Sequence, residues 1–106
     1  MVEKFGVTLG RKIAHQYYEA IKEEIKVNSL YLFGSYAKNN ANNDSDVDIA
    51  VVSNDFSGDP VDDLVFLMSL RRKVNLKIEP HPFLPVDFNR SNPIASEILN
   101  YGIKIV

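Results

Sequence analysis

Leu32-Phe33-Gly34-Ser35-Tyr36-Ala37, ten residues from Tyr36 to Ser45, then Asp46-Val47-Asp48-Ile49-Ala50-Val51-Val52: this stretch decides the fold. A small turn closes one apolar run, and two carboxylates open the next. Ser29–Phe33 is short, apolar and aromatic without alternation, which predicts a strand covered on both faces. Tyr36-Ala37-Lys38 suits the start of a short helix, and the Asn-rich segment from Asn39 to Ser45 is loop. Asp46–Ser53 predicts a second strand, with Val47, Ile49 and Val51 on one face and Asp46, Asp48, Ala50 and Val52 on the other.

Outward from this core, residues 8–26 predict a helix. Leu9, Ile13, Tyr17, Ile21 and Ile25 make its apolar stripe, Ala14, Tyr18 and Ala20 lie beside it, and Thr8 is the expected N-cap. Downstream, Asp59 caps a helix that begins at Pro60, with Asp62 and Asp63 in its first turn. Leu64, Val65, Leu67, Met68 and Leu70 supply its buried side. Arg71, Arg72 and Lys73 close it with the sign that its dipole favours; they are either solvated or in reach of a phosphate. Val74–Glu79 predicts a third strand, ended by Pro80-His81-Pro82 because proline cannot continue a central ladder. Asn92-Pro93 opens a last helix through Ile94, Ile98, Leu99 and Tyr101, and Gly102 stops it. The apolar tail Ile103–Val106 is expected to dock as an edge strand or to contact another chain. The fold class is α+β, in one domain spanning 1–106.

Composition narrows the chemistry. The chain of 106 residues is 45% hydrophobic and 25% charged, the balance of a globular domain. A net charge of -2 supplies no basic field to draw in nucleic acid. The absence of cysteine excludes disulfides and thiolate zinc sites. Met1-Val2-Glu3-Lys4-Phe5 lacks an apolar signal core, and no window is long enough to span a membrane, so a cytoplasmic place is expected.

Residues i and i+2 of a strand share a face, so Asp46 and Asp48 stand about 6–7 Å apart along it. Two carboxylates so close repel unless a cation lies between them. Mg²⁺ prefers oxygen ligands and shares its shell with phosphates. Glycine allows a close backbone approach at Gly34, and Ser35 adds a hydroxyl where N–H groups at a helix start would favour an anion. The set fits a clamp for a metal-bound nucleoside triphosphate. Asp44, Asp46 and Asp48 do not make a calcium loop, because Ile49 stands where glycine is needed and Asp55 where the bidentate glutamate should be. His15 and His81 are too far apart in sequence to suggest zinc. His81, close to Glu79, suits packing or a place near an acceptor.

Gly34, Ser35, Asp46 and Asp48, with their Ser-Tyr-Ala and Ser-Asp-Val-Asp-Ile-Ala-Val-Val flanks, resemble the signature of minimal nucleotidyltransferases of the DNA polymerase beta superfamily. The resemblance implies a mixed β-sheet with helices packed on it, two Mg²⁺ ions and ATP as substrate. It implies a third acid on the strand after the next helix, where Glu79 stands in place of the commoner Asp. The implied metal and catalytic residues are Asp46, Asp48 and Glu79, and the implied nucleotide contacts are Gly34, Ser35 and Lys38, the last replacing a common Arg. Minimal members often act as antitoxins of helical HEPN proteins, adenylylating a toxin tyrosine. The resemblance therefore implies a HEPN-type partner in a hetero-oligomer. The alternative is a non-catalytic binding module that neutralises that partner by contact.

Overall fold

A computed structural model describes residues 5–106. Met1–Lys4, part of the segment read above as lacking a signal core, lie outside the described residues. The order is α1 (Val7–Ile21), β1 (Ser29–Phe33), β2 (Val47–Val52), α2 (Pro60–Arg71), β3 (Ile78–Phe83), a 3-10 turn (Pro85–Asp87), α3 (Pro93–Tyr101) and β4 (Ile103–Lys104). The four strands form one sheet in the order β3-β2-β1-β4. β1 runs antiparallel to β2 and to β4, whereas β2 and β3 are parallel and joined through α2. This is the mixed α+β architecture that the sequence implies.

One sheet face is the core. Leu30, Leu32, Val47, Ile49, Val51 and Ile78 are fully buried and pack with Ile13, Ala14, Tyr17 and Ile21 of α1 and Leu67 and Leu70 of α2. Alternation along β2 puts Asp48 on the other face, as the spacing predicts. That second face is only partly covered, so β1 is buried at alternate residues and not on both sides. Tyr31 and Phe83 meet Phe88 there, with ring centroids 5.2 and 5.1 Å apart.

The helix caps of α2 and α3 follow the sequence. Asp59 accepts from the N–H groups of Val61 and Asp62, and Asn92 from those of Ile94 and Ala95. Gly102 ends α3, where an added Cβ would lie 2.5 Å from the Ile98 carbonyl oxygen.

Four local expectations are corrected. α1 ends at Ile21 and not at 26, because tertiary bonds claim the following backbone: Lys26 N–H donates to Asp55 and Asn28 N–H to the Val52 carbonyl. Thr8 lies inside α1. The N-cap is Gly6, without a side-chain bond of its own, and Val7 N–H donates instead to the Asn39 side chain at 3.2 Å. Residues 35–39 form turns and not a helix. The third strand runs from Ile78 to Phe83, through both prolines, instead of ending at Glu79. β3 is an edge strand, and its ladder to β2 is bracketed by Val47 N–H to Lys77 O and Ser53 N–H to Phe83 O. In that register Glu79, His81 and Phe83 turn their N–H groups toward β2. Pro80 and Pro82, which have none, face the open edge.

α2 departs from expectation as well. Leu67 and Leu70 are buried, but Leu64 is 37% and Val65 60% exposed. With Val61, 68% exposed, and half-buried Met68 they form a stripe at i, i+3, i+4 and i+7 on the outer side. Arg71 is not a free basic end either: its guanidinium donates to the Ile78 carbonyl at 3.0 Å and ties α2 to the start of β3.

Across the core, the buried Tyr17 hydroxyl donates to the Leu67 carbonyl at 2.6 Å, and burial holds its proton far above the usual phenol range. Tyr17→Phe is expected to lower stability by about 1–2 kcal/mol with the fold retained, as read by urea denaturation followed by circular dichroism.

Candidate active site

Topology gathers the acids. β2 and β3 are parallel and β1 is antiparallel to β2, so the end of β1 and the starts of β2 and β3 share one margin of the sheet. Register makes Phe33, Asp48 and Glu79 a single row, with Tyr31, Ala50 and His81 the next. Residues in register lie on one face, so Asp48, Glu79 and His81 converge. Their ligand atoms all lie within 4.8 Å of one another.

Gly34 is the hinge of this arrangement. Its φ is +74°, and an added Cβ would lie 2.2 Å from Asp48 Oδ2. The glycine of the motif thus serves the aspartate as well as any phosphate: the backbone bends away so that the Asp48 carboxylate can lie against it. Lys38 N–H donates to the Gly34 carbonyl and Asn40 N–H to that of Ser35, closing the turn. The Lys38 ammonium lies 3.8 Å from Glu97 on α3, beside a small cleft that Phe33 and Gly34 also line.

Asp46 is exposed, one residue before β2 begins, outside the set of three. It still bears on the set, because its carboxylate is among the groups that raise Glu79. Glu79 holds its proton above the ordinary carboxylate range. Desolvation is the first cause, followed by repulsion from Asp48 and the bond to Asp46, while His81 pulls the other way. Carboxylates crowded in this way are the ones a dication would neutralise. Two donors held about 2.0–2.2 Å from one ion stand at most about 4.4 Å apart, so ligand atoms within 4.8 Å of one another fit a divalent metal after a small side-chain adjustment.

Sequence reasoning underrated His81. Its Nε2 lies 3.3 Å from Asp48 Oδ1, and its ring packs edge-on against Phe33 at 4.9 Å between centroids. The available signal was its i+2 spacing from Glu79, which reads as one face only if the strand continues through Pro80. A groove of about 630 Å³ runs from Asp46, Glu79 and His81 between β3, Pro60, Leu64 and Met68 of α2, and Ile94 of α3.

Gly34→Ala is expected to cost about 1–3 kcal/mol, from the left-handed φ and the collision with Asp48. Divalent-cation affinity should fall with it, as read by calorimetry. A second expectation concerns pH without metal. The folded state keeps a proton on Glu79 that the unfolded chain has already lost. Stability is then fully present below the unfolded pKa and declines as pH rises through the folded one. Urea midpoints in chelator should show this small decline in the wild type and lose it in Glu79→Gln. A divalent cation, which binds the deprotonated form, should reverse it.

Comparison with known proteins agrees with this fold. The family described as Polymerase beta, Nucleotidyltransferase matches residues 15–106. A search of curated proteins gives no match. Among solved structures, a "putative nucleotidyltransferase" from Sulfolobus solfataricus has a similar fold, with a TM-score of 0.60 and 21% identity over 76% of this chain and 72% of that one. Its likeness bears on the fold, whereas the match across residues 15–106 settles the family: the chain belongs to the polymerase beta-type nucleotidyltransferases.

Proposed function

We propose that this domain transfers a nucleoside monophosphate, AMP from ATP, to an acceptor hydroxyl, with Mg²⁺ or a related dication as cofactor. The observation that carries the reading is the Phe33–Asp48–Glu79 row, in which two carboxylates from neighbouring strands meet beside Gly34. In this reading Asp48 and Glu79 hold the metal-bound triphosphate, with Asp46 completing the acidic set from the loop. Gly34 and Ser35 hold the outer phosphates, and Lys38 leaves Glu97 to meet them. Bound metal supplies positive charge to the phosphate oxygens. The acceptor oxygen bonds to the α-phosphorus as the bond to pyrophosphate breaks, and the hydroxyl proton passes to a carboxylate or to solvent. Acceptor access is along the groove, which opens on Glu79 and His81.

The acceptor in this proposal is a tyrosine of a helical HEPN-type toxin, and the domain acts as its antitoxin in a cytoplasmic hetero-oligomer. The outer stripe of α2 favours a protein partner: Val61, Leu64 and Val65 are apolar, exposed and beside the groove. No helix of the described residues is long and apolar enough to cross a membrane. The same stripe would serve the second reading, neutralisation by contact with catalysis lost.

Two experiments separate these. Asp46→Asn with Asp48→Asn should reduce label transfer from α-labelled ATP to the partner by at least about a hundredfold. Transfer that persists contradicts the catalytic reading. Leu64→Arg with Val65→Asp should weaken partner binding at least about tenfold, with Val86→Arg, on another exposed residue, as the unchanged control. Toxin neutralisation that survives loss of the acids but not of the stripe favours contact alone.

A further inference from the structure

His81 has no assigned role in the proposed reaction, yet its ring is held beside the acids. Three observations place its ring. The strand backbone on either side is stiffened by Pro80 and Pro82, whose φ angles are fixed. Phe33 meets the imidazole edge-on at 4.9 Å between centroids, at an interplanar angle of 63°. Register puts it opposite Ala50, a small residue, in the row next to Asp48 and Glu79. Its Nε2 is thereby 3.3 Å from Asp48 Oδ1 and within 4.8 Å of the Glu79 carboxylate. The side chain is 30% exposed and that of Asp48 is 23% exposed, so an ion can enter from solvent.

We propose that His81 Nε2 is a metal ligand beside Asp48 and Glu79, and that this nitrogen makes the site select Mn²⁺ over Mg²⁺. The inference rests on the divalent-metal reading of the site and specifies its donor set. Mg²⁺ is a hard ion that keeps oxygen ligands and gives up water reluctantly. An imidazole is a poor exchange for one of its waters. First-row transition dications bind imidazole more readily. Among them Mn²⁺ also suits the carboxylates and phosphate oxygens that an octahedral site of this kind offers. Two oxygen donors and one nitrogen on a half-exposed margin therefore describe a manganese site that tolerates magnesium.

The test titrates the full chain with Mn²⁺ alone and with Mg²⁺ alone, without nucleotide, by calorimetry. Pulsed electron paramagnetic resonance of the Mn²⁺ complex then looks for a nitrogen coupling that changes when histidine is labelled with ¹⁵N. The expected result is a nitrogen-coupled Mn²⁺ bound at least about tenfold more tightly than Mg²⁺. His81→Asn, checked for its fold by circular dichroism, should lose the coupling and about tenfold or more in Mn²⁺ affinity while changing Mg²⁺ affinity little. Mn²⁺ bound without nitrogen coupling and no more tightly than Mg²⁺ overturns the inference and leaves the metal reading standing. Failure of both ions to bind, with or without ATP, overturns both. Because His15 is the other histidine of the chain, a coupling that persists in His15→Asn assigns it to His81 even if His81→Asn does not fold, and one that disappears there overturns the inference.

Discussion

The contact of the Asp48 carboxylate with the bare Cα of Gly34 is the constraint on which the site depends. A side chain at position 34 would occupy the space that Asp48 Oδ2 fills, and the backbone there adopts a φ of +74°. Moving Asp48 would break its row with Glu79, and with it the distance to His81. The left-handed turn at Gly34 thus brings the Asp48 carboxylate beside Glu79, whose proton it helps to retain. Such an arrangement is costly for a domain that does not bind a cation and useful for one that does.

The partly covered second face of the sheet follows from the same economy of elements. One face of four short strands is packed by α1 and α2, leaving the other for Phe33, Asp48, Glu79 and His81. α2 is then free on its outer side, where Val61, Leu64 and Val65 meet solvent. A helix that packs the core through Leu67 and Leu70 has no internal use for that stripe. Its place beside the groove gives the site and the apolar surface a common approach.

Much of this was legible in the sequence. Gly34-Ser35 and Asp46-Val47-Asp48 gave the turn and the strand start because their periodicity and turn chemistry are local. Asp59-Pro60 and Asn92-Pro93 gave the helix starts for the same reason. What escaped is set by tertiary context. The length of α1 is decided by Asp55 and Val52, far along the chain. Pro80 and Pro82 read as terminators, but at a sheet edge the missing N–H groups are on the side that needs none. That one misreading hid His81, because its face is defined only if the strand passes through Pro80. Leu64, Val65 and Met68 were assigned inward with Leu67 and Leu70, since sequence alone does not show which of two stripes the sheet will cover.

The most direct measurement is the binding of ATP to the full chain in the presence of a divalent cation and again in chelator. If the acids exist to hold a metal-bound triphosphate, calorimetry will register binding with the cation present and none without it, because Asp48 and Glu79 repel bare phosphate. Equal heat in chelator would mean that the nucleotide binds elsewhere, and no heat under either condition would mean that this acidic margin holds no nucleotide at all.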